Sequence, residues 1–196
     1  MEYTEISIRI TLPPKISVII KKEKMRFVPE VGSSYNSEPH ITLYLARYTE
    51  DGFSKLIMNL KELIFNSFTF SLLGLKVNLE GYRNLYVVEV SDQDKLQELR
   101  DKICSVASRY QSPLLREKDQ KRFEQGIVKD SWPWFPHITL GEVPIDAPQP
   151  DLADVRKNIA SIEGEQITVF GVTLFLYGKE EGVEKMKLIN EVKIDF

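Results

Sequence analysis

The sequence predicts an α+β fold of two similar lobes, each a β-α-β-α-β unit, with two mostly antiparallel sheets flanking a central cleft and helices on the outside. Three observations predict it: stretches of period-2 and period-3.6 hydrophobicity alternate along the chain, that order occurs twice, and hairpin-like segments at 78–83 and 179–182 join neighbouring strands. The 196 residues, 42% of them apolar, suffice for one domain with a substantial core, in pseudo-symmetric halves of about 1–80 and 81–196.

In the first half, residues 6–12 alternate β-branched and polar side chains as a strand does, and Pro13-Pro14 ends it and can seed a helix. The helix runs over 15–24, with Ile16, Ile19 and Ile20 on one side. A Gly/Ser/Asn-rich loop at 31–37 follows, and Pro39 opens a strand over 40–46. Phe53, Leu56, Ile57, Leu60, Leu63 and Ile64 then keep a 3.6-residue period, and 68–79 reads as a strand. The second half repeats the plan: strand 84–90, helix 91–110 capped by Ser91 or Asp92, strand 136–143, helix 152–162 and strand 166–177, with 187–196 as a final strand. Residues 112–131, rich in mixed charge, form the longest loop candidate; a substrate-contacting flap and a merely solvated insertion fit it equally.

Cys104 is the only cysteine and lies among Leu96, Leu99, Ile103 and Val106 at helical spacing, so it reads as a buried structural thiol rather than a catalytic one. One Cys and two His are too few soft ligands for a protein-only zinc site, and no run of alternating Asp/Asn suggests a calcium loop; no metal or other cofactor is expected. The net charge of −3 and pI near 5.6 give no overall basic field for long nucleic acids, which favours a small or short anionic partner. No signal peptide is evident, and no apolar run approaches the roughly 20 residues that span a bilayer. The expectation is a cytoplasmic monomer with no membrane partner.

The two histidines of the chain lie in identical pentapeptides, Pro39-His40-Ile41-Thr42-Leu43 and Pro136-His137-Ile138-Thr139-Leu140. With each flanking position matching at about one in twenty, chance agreement is roughly one in 10⁵. Strand alternation then aims Ile41, Leu43 and Leu45 at the core and His40, Thr42 and Tyr44 the other way. In the second copy Ile138 and Leu140 face the core, and His137, Thr139 and Gly141 the open side. Lobes related by an approximate two-fold bring two imidazoles and two hydroxyls to one centre. Those groups suit phosphodiester chemistry: one imidazole takes a proton from the attacking oxygen, the other gives one to the leaving oxygen, and the hydroxyls donate to the non-bridging oxygens.

These paired motifs resemble the two-histidine (2H) phosphoesterases, which include the 2′-5′ RNA ligase-like proteins and the cyclic nucleotide phosphodiesterases. The hallmark is a His-x-Thr/Ser-x motif with apolar x in each lobe of a bilobal α+β fold, and both copies here match in full. The resemblance covers essentially the whole chain. It implies His40, Thr42, His137 and Thr139 as catalytic residues, with His137 slightly favoured as the base although the symmetry leaves the roles interchangeable. It further implies metal-independent hydrolysis of 2′,3′-cyclic or related ribose phosphodiesters in a nucleotide or short RNA, or cleavage or reversible joining of 2′-5′ bonds.

Tyr44, by alternation on the face of His40, and Trp132, Trp134 and Phe135, just before the second motif, are candidates to stack on a base; core or rim packing is the plain alternative for each. Arg83 and Tyr177 are weaker candidates for phosphate or base contact. Two readings compete with cyclic-phosphate hydrolysis: action on linear 2′-5′ linkages, and a phosphate- or RNA-binding module without turnover.

Overall fold

A computed structural model describes residues 4–27, 38–80, 83–113, 134–179 and 186–196. In chain order the described elements are β1 (Thr4–Thr11), α1 (Pro14–Lys24), β2 (His40–Tyr48), α2 (Glu50–Lys61), β3 (Phe68–Glu80), β4 (Arg83–Val90) and α3 (Gln93–Tyr110). There follow β5 (His137–Pro144), α4 (Ala153–Ala160), β6 (Gln166–Val169), β7 (Gly171–Lys179) and β8 (Met186–Asp195). Local chemistry sets several boundaries. Pro14 opens α1, where its missing N–H costs nothing, and the Thr49 side chain accepts from the Gly52 N–H to cap α2. Asp92 takes the N-cap position of α3, one of the two expected, but at φ 52° makes no side-chain cap bond, and the Ser91 hydroxyl accepts from the Ser71 N–H on β3.

The strands form two antiparallel sheets in the orders β2-β1-β7-β8 and β5-β4-β3-β6. The first sheet therefore joins strands from the two ends of the chain, and the second is built from the stretch between them. The stretch 166–177, expected to be one strand, is two: β6 pairs with β3, and past Phe170 the chain changes sheets and pairs as β7 with β1. In the sequence the crossing shows only as a slip of the apolar phase, from Ile167 and Val169 to Val172, Leu174 and Leu176 around Gly171.

The helices cross in the same reciprocal way. α1, which joins β1 to β2, packs on β5 of the other sheet, and α3, which joins β4 to β5, packs on β2. Tyr48 donates its hydroxyl to the Ala107 carbonyl, fixing β2 to α3. On the other side Asn158 of α4 donates to Glu23 of α1, and Arg26 pairs with Asp154. One continuous apolar core results, running from Ile6 and Ile8 through Leu56, Leu99 and Ile103 to Ile138, Leu140 and Ile159, and Cys104 is buried within it.

Both motif strands carry a β-bulge at the same place. Arg9 pairs with Thr42 but Ile8 with Tyr44, so Leu43 is extra; Val87 pairs with Thr139 but Tyr86 with Gly141, so Leu140 is extra. Each bulge shifts the alternation by one residue, and beyond it the faces exchange. Hence Tyr44 lies in the core and donates its hydroxyl to Gln111, while Leu45 is only partly buried, the reverse of what unbroken alternation gives. Gly141 likewise turns to the core side, where Phe27, in the 3-10 turn that follows α1, sits over it and packs 5.0 Å from Tyr86. Residues 114–133, which include most of the long charged loop and Trp132, lie outside the described residues. No helix among the described residues is long and apolar enough to cross a membrane.

A methyl group on Gly141 overlaps the Phe27 side chain. Gly141→Ala is expected to cost about 1–3 kcal/mol, the usual range for overpacking, read as a lower midpoint in denaturant titration. An unchanged midpoint would show that α1 and β5 are not held by this contact.

Candidate active site

β2 and β5 are edge strands of the two sheets and lie against each other, so His40 and His137, each the first residue of its strand, come from opposite lobes to one place. The positive charge of His137 acts on His40, which puts both imidazoles in one electrostatic neighbourhood. Ahead of each bulge the strand period keeps His and Thr on one face, and all four side chains are half-buried. The Thr42 and Thr139 hydroxyls make no side-chain hydrogen bond with other described residues.

The two rings are held alike. Nδ1 of His40 lies 2.6 Å from the Glu38 carbonyl oxygen, and Nδ1 of His137 lies 2.8 Å from that of Phe135. A carbonyl only accepts, so Nδ1 carries the proton in each ring and Nε2 is its basic nitrogen. In both motifs the acceptor is the residue two before the histidine, which aims the rings equivalently. Such fixed tautomers suit an acid–base pair.

The surroundings of His40 are cationic. Burial comes first in pulling its pKa down to about 3, and the neighbouring charge of Arg9 second, with Lys24 and His137 adding to them against the Glu38 carbonyl. Lys24 is itself drawn down to about 8, chiefly by burial and then by Arg9. Neither Arg9 nor Lys24 stands out from the sequence. Arg9 belongs to the polar set Ser7-Arg9-Thr11 of β1, and only the pairing of β1 with β2 shows that this set shares the face of Thr42. Lys24, in the last turn of α1, reads as a solvated lysine and is 4% exposed.

The aromatic candidates divide. Phe135, 38% exposed, stacks on the His137 ring with centroids 4.3 Å apart. Trp134 donates its indole N–H to the Thr42 carbonyl at 3.1 Å and carries Arg100 over its ring, so it fastens the approach to the second motif onto the strand of the first. Tyr44 is removed from the site by the bulge in β2. Arg83 pairs with Glu142 at 2.7 Å, whereas Tyr177 lies under the guanidinium of Arg9.

The family model described as the 2′-5′ RNA ligase superfamily matches residues 13–180. Among solved structures, E. coli LigT complexed with 3′-AMP is 18% identical, with a TM-score of 0.60 over 98% of this chain and 99% of that one. E. coli LigT complexed with NADP+ gives the same identity, score and coverage, and TT0787 of Thermus thermophilus is 17% identical, with a TM-score of 0.60 over 97% of each chain. These likenesses establish a shared fold. No curated protein matches the chain in sequence.

With His40 near pKa 3 when folded and near 6.5 when unfolded, the unfolded chain binds more protons between those values. The contribution of His40 to stability is therefore whole above about pH 6.5 and is lost as the pH falls toward 3. NMR titration of the imidazole in a His137→Gln background is expected to find His40 neutral down to well below pH 5; a midpoint near 6.5 would contradict the cationic surroundings. Trp134→Phe leaves the ring but takes the donor from the Thr42 carbonyl, and should lower stability by about 1–2 kcal/mol. If denaturant titration shows no loss, that bond does not anchor β2.

Proposed function

Because the chain belongs to the 2′-5′ RNA ligase superfamily, we propose that it is a metal-independent phosphodiesterase that opens 2′,3′-cyclic or related ribose phosphodiesters of nucleotides or short RNA, with His40 and His137 as the acid–base pair. The observation that carries this reading is the equivalent setting of two imidazoles from two lobes, each with Nδ1 bonded to a backbone carbonyl, which makes Nε2 the basic nitrogen of the ring.

In the proposed step one imidazole takes a proton from water as its oxygen attacks phosphorus. The bond from phosphorus to one ribose oxygen breaks, and the second imidazole protonates that oxygen. Family resemblance favours His137 as the base. His40 then acts as the acid: the negative charge of a bound phosphate offsets the field of Arg9 and Lys24 and raises the His40 pKa in the complex. Thr42 and Thr139 donate to the non-bridging oxygens as their charge grows.

Phe135, stacked on His137 at the rim, offers a face to a base. A recess of about 400 Å³ lined by Thr11, Val18, Lys21, Glu38 and Phe175 adjoins His40 and fits a nucleoside-sized group. The 3′-AMP and NADP+ complexes of LigT support a nucleotide ligand. A second reading, action on linear 2′-5′ bonds, is favoured by the description of the family itself.

Full activity on 2′,3′-cyclic mononucleotides is expected in strong chelator, and His40→Ala and His137→Ala should each lose at least about a hundredfold in kcat/KM. Undiminished turnover in either variant would refute the pair. The profile of kcat/KM against pH should be bell-shaped, with its acid limb set by the free-enzyme His40 and so well below 6.5, whichever imidazole is the acid. Cleavage of linear 2′-5′ dinucleotides but of no cyclic mononucleotide would favour the second reading.

A further inference from the structure

Arg9 has a setting that packing alone does not require. It pairs directly with Thr42 in the β1–β2 ladder and is therefore on the sheet face of the first motif. It is only 8% exposed. Its Nε donates to the Ser7 hydroxyl at 2.7 Å, and its guanidinium carbon lies 4.6 Å from the centre of the Phe175 ring and 5.4 Å from that of Tyr177. Among the described residues it has no carboxylate within 4.0 Å.

Each of these facts bears on ligand binding. A guanidinium removed from water without a contacting carboxylate gains more from an incoming anion than a solvated one does. The two rings and Ser7 fix the side chain in advance, so little freedom is lost when an anion arrives. The bond to Ser7 uses only one donor of its five-donor fork. Lys24 adds a second buried positive charge beside it. In a chain of net charge −3 this concentration of positive charge at the first motif is local, not a general basic surface.

We propose that Arg9 is a phosphate-binding residue of this site, its guanidinium holding non-bridging oxygens of the phosphoryl group seated between His40 and His137, with the Lys24 ammonium as the second charge. The position of that phosphate rests on the phosphodiesterase reading, whereas the binding needs no turnover. Phe175, which both stacks on Arg9 and lines the recess beside His40, joins this anion hold to the space for the nucleoside.

The test titrates inorganic phosphate into the full chain by calorimetry and follows the Arg9 Nε–H and both imidazoles by NMR. In the wild type, phosphate is expected to shift Arg9 Nε–H along with the rings. Arg9→Gln should weaken phosphate binding by at least about tenfold, as the loss of a charge-assisted bond implies. It should also raise the His40 pKa, which a merely structural arginine would not control in parallel with phosphate affinity. A loss under tenfold in folded Arg9→Gln overturns the proposal. Should that variant not fold, an Arg9 Nε–H unmoved at saturating phosphate in the wild type overturns it equally. Wild-type hydrolysis of 2′,3′-cyclic mononucleotides, run alongside, separates the two claims. Arg9-dependent phosphate binding without turnover supports the hold and sinks the catalytic reading; turnover with phosphate binding indifferent to Arg9 does the reverse.

Discussion

The site depends on holding two edge strands against each other, a contact that no hydrogen-bonded ladder makes. β2 and β5 end their respective sheets, and an edge strand left to itself pairs with another strand or drifts. The helices prevent both outcomes by crossing. α1 leaves the sheet of β2 and packs on β5, and α3 leaves the sheet of β5 and packs on β2, so neither lobe can move without dragging a helix out of the common core. Phe27 over Gly141 and Tyr48 against Ala107 are the near-equivalent fasteners of that exchange. Trp134 adds a direct bond between the two motif segments.

Much of this was legible in the sequence, because repetition exposes what one copy hides. A lone histidine in an apolar strand is most simply a satisfied core residue; two in identical pentapeptides, in equivalent strands, bring two lobes and one centre into view. Helices and strands appear close to their expected bounds because hydrophobic periodicity is local. What stayed hidden is non-local. A bulge inserts no unusual residue, so nothing in His40-Ile41-Thr42-Leu43-Tyr44 announces that Tyr44 turns into the core. Strand partnership is equally silent: the apolar phase slips at Phe170 and Gly171, but nothing local says that the chain changes sheets there. Arg9 and Lys24 become site residues only once β1 is known to pair with β2 and α1 to end beside Glu38.

The charge distribution gives the site its character. A protein of net negative charge has gathered buried cations around one of its two imidazoles, which keeps that ring neutral until negative charge arrives. The same field that disfavours protonation of the free His40 favours an anion, and the phosphate proposed to bind there would restore the proton. In the proposed reaction, binding and activation of the acid would thus be one event, and the hydrogen bonds at Nδ1 assign the change of state to Nε2.

The most direct measurement of the central claim is a crystal structure with a ribonucleoside vanadate, whose five-coordinate vanadium imitates phosphorus during displacement. The account predicts Nε2 of both imidazoles within about 3 Å of vanadate oxygens on opposite sides of the metal, the distance that proton transfer requires. A vanadate bound with either ring out of hydrogen-bond reach would contradict it.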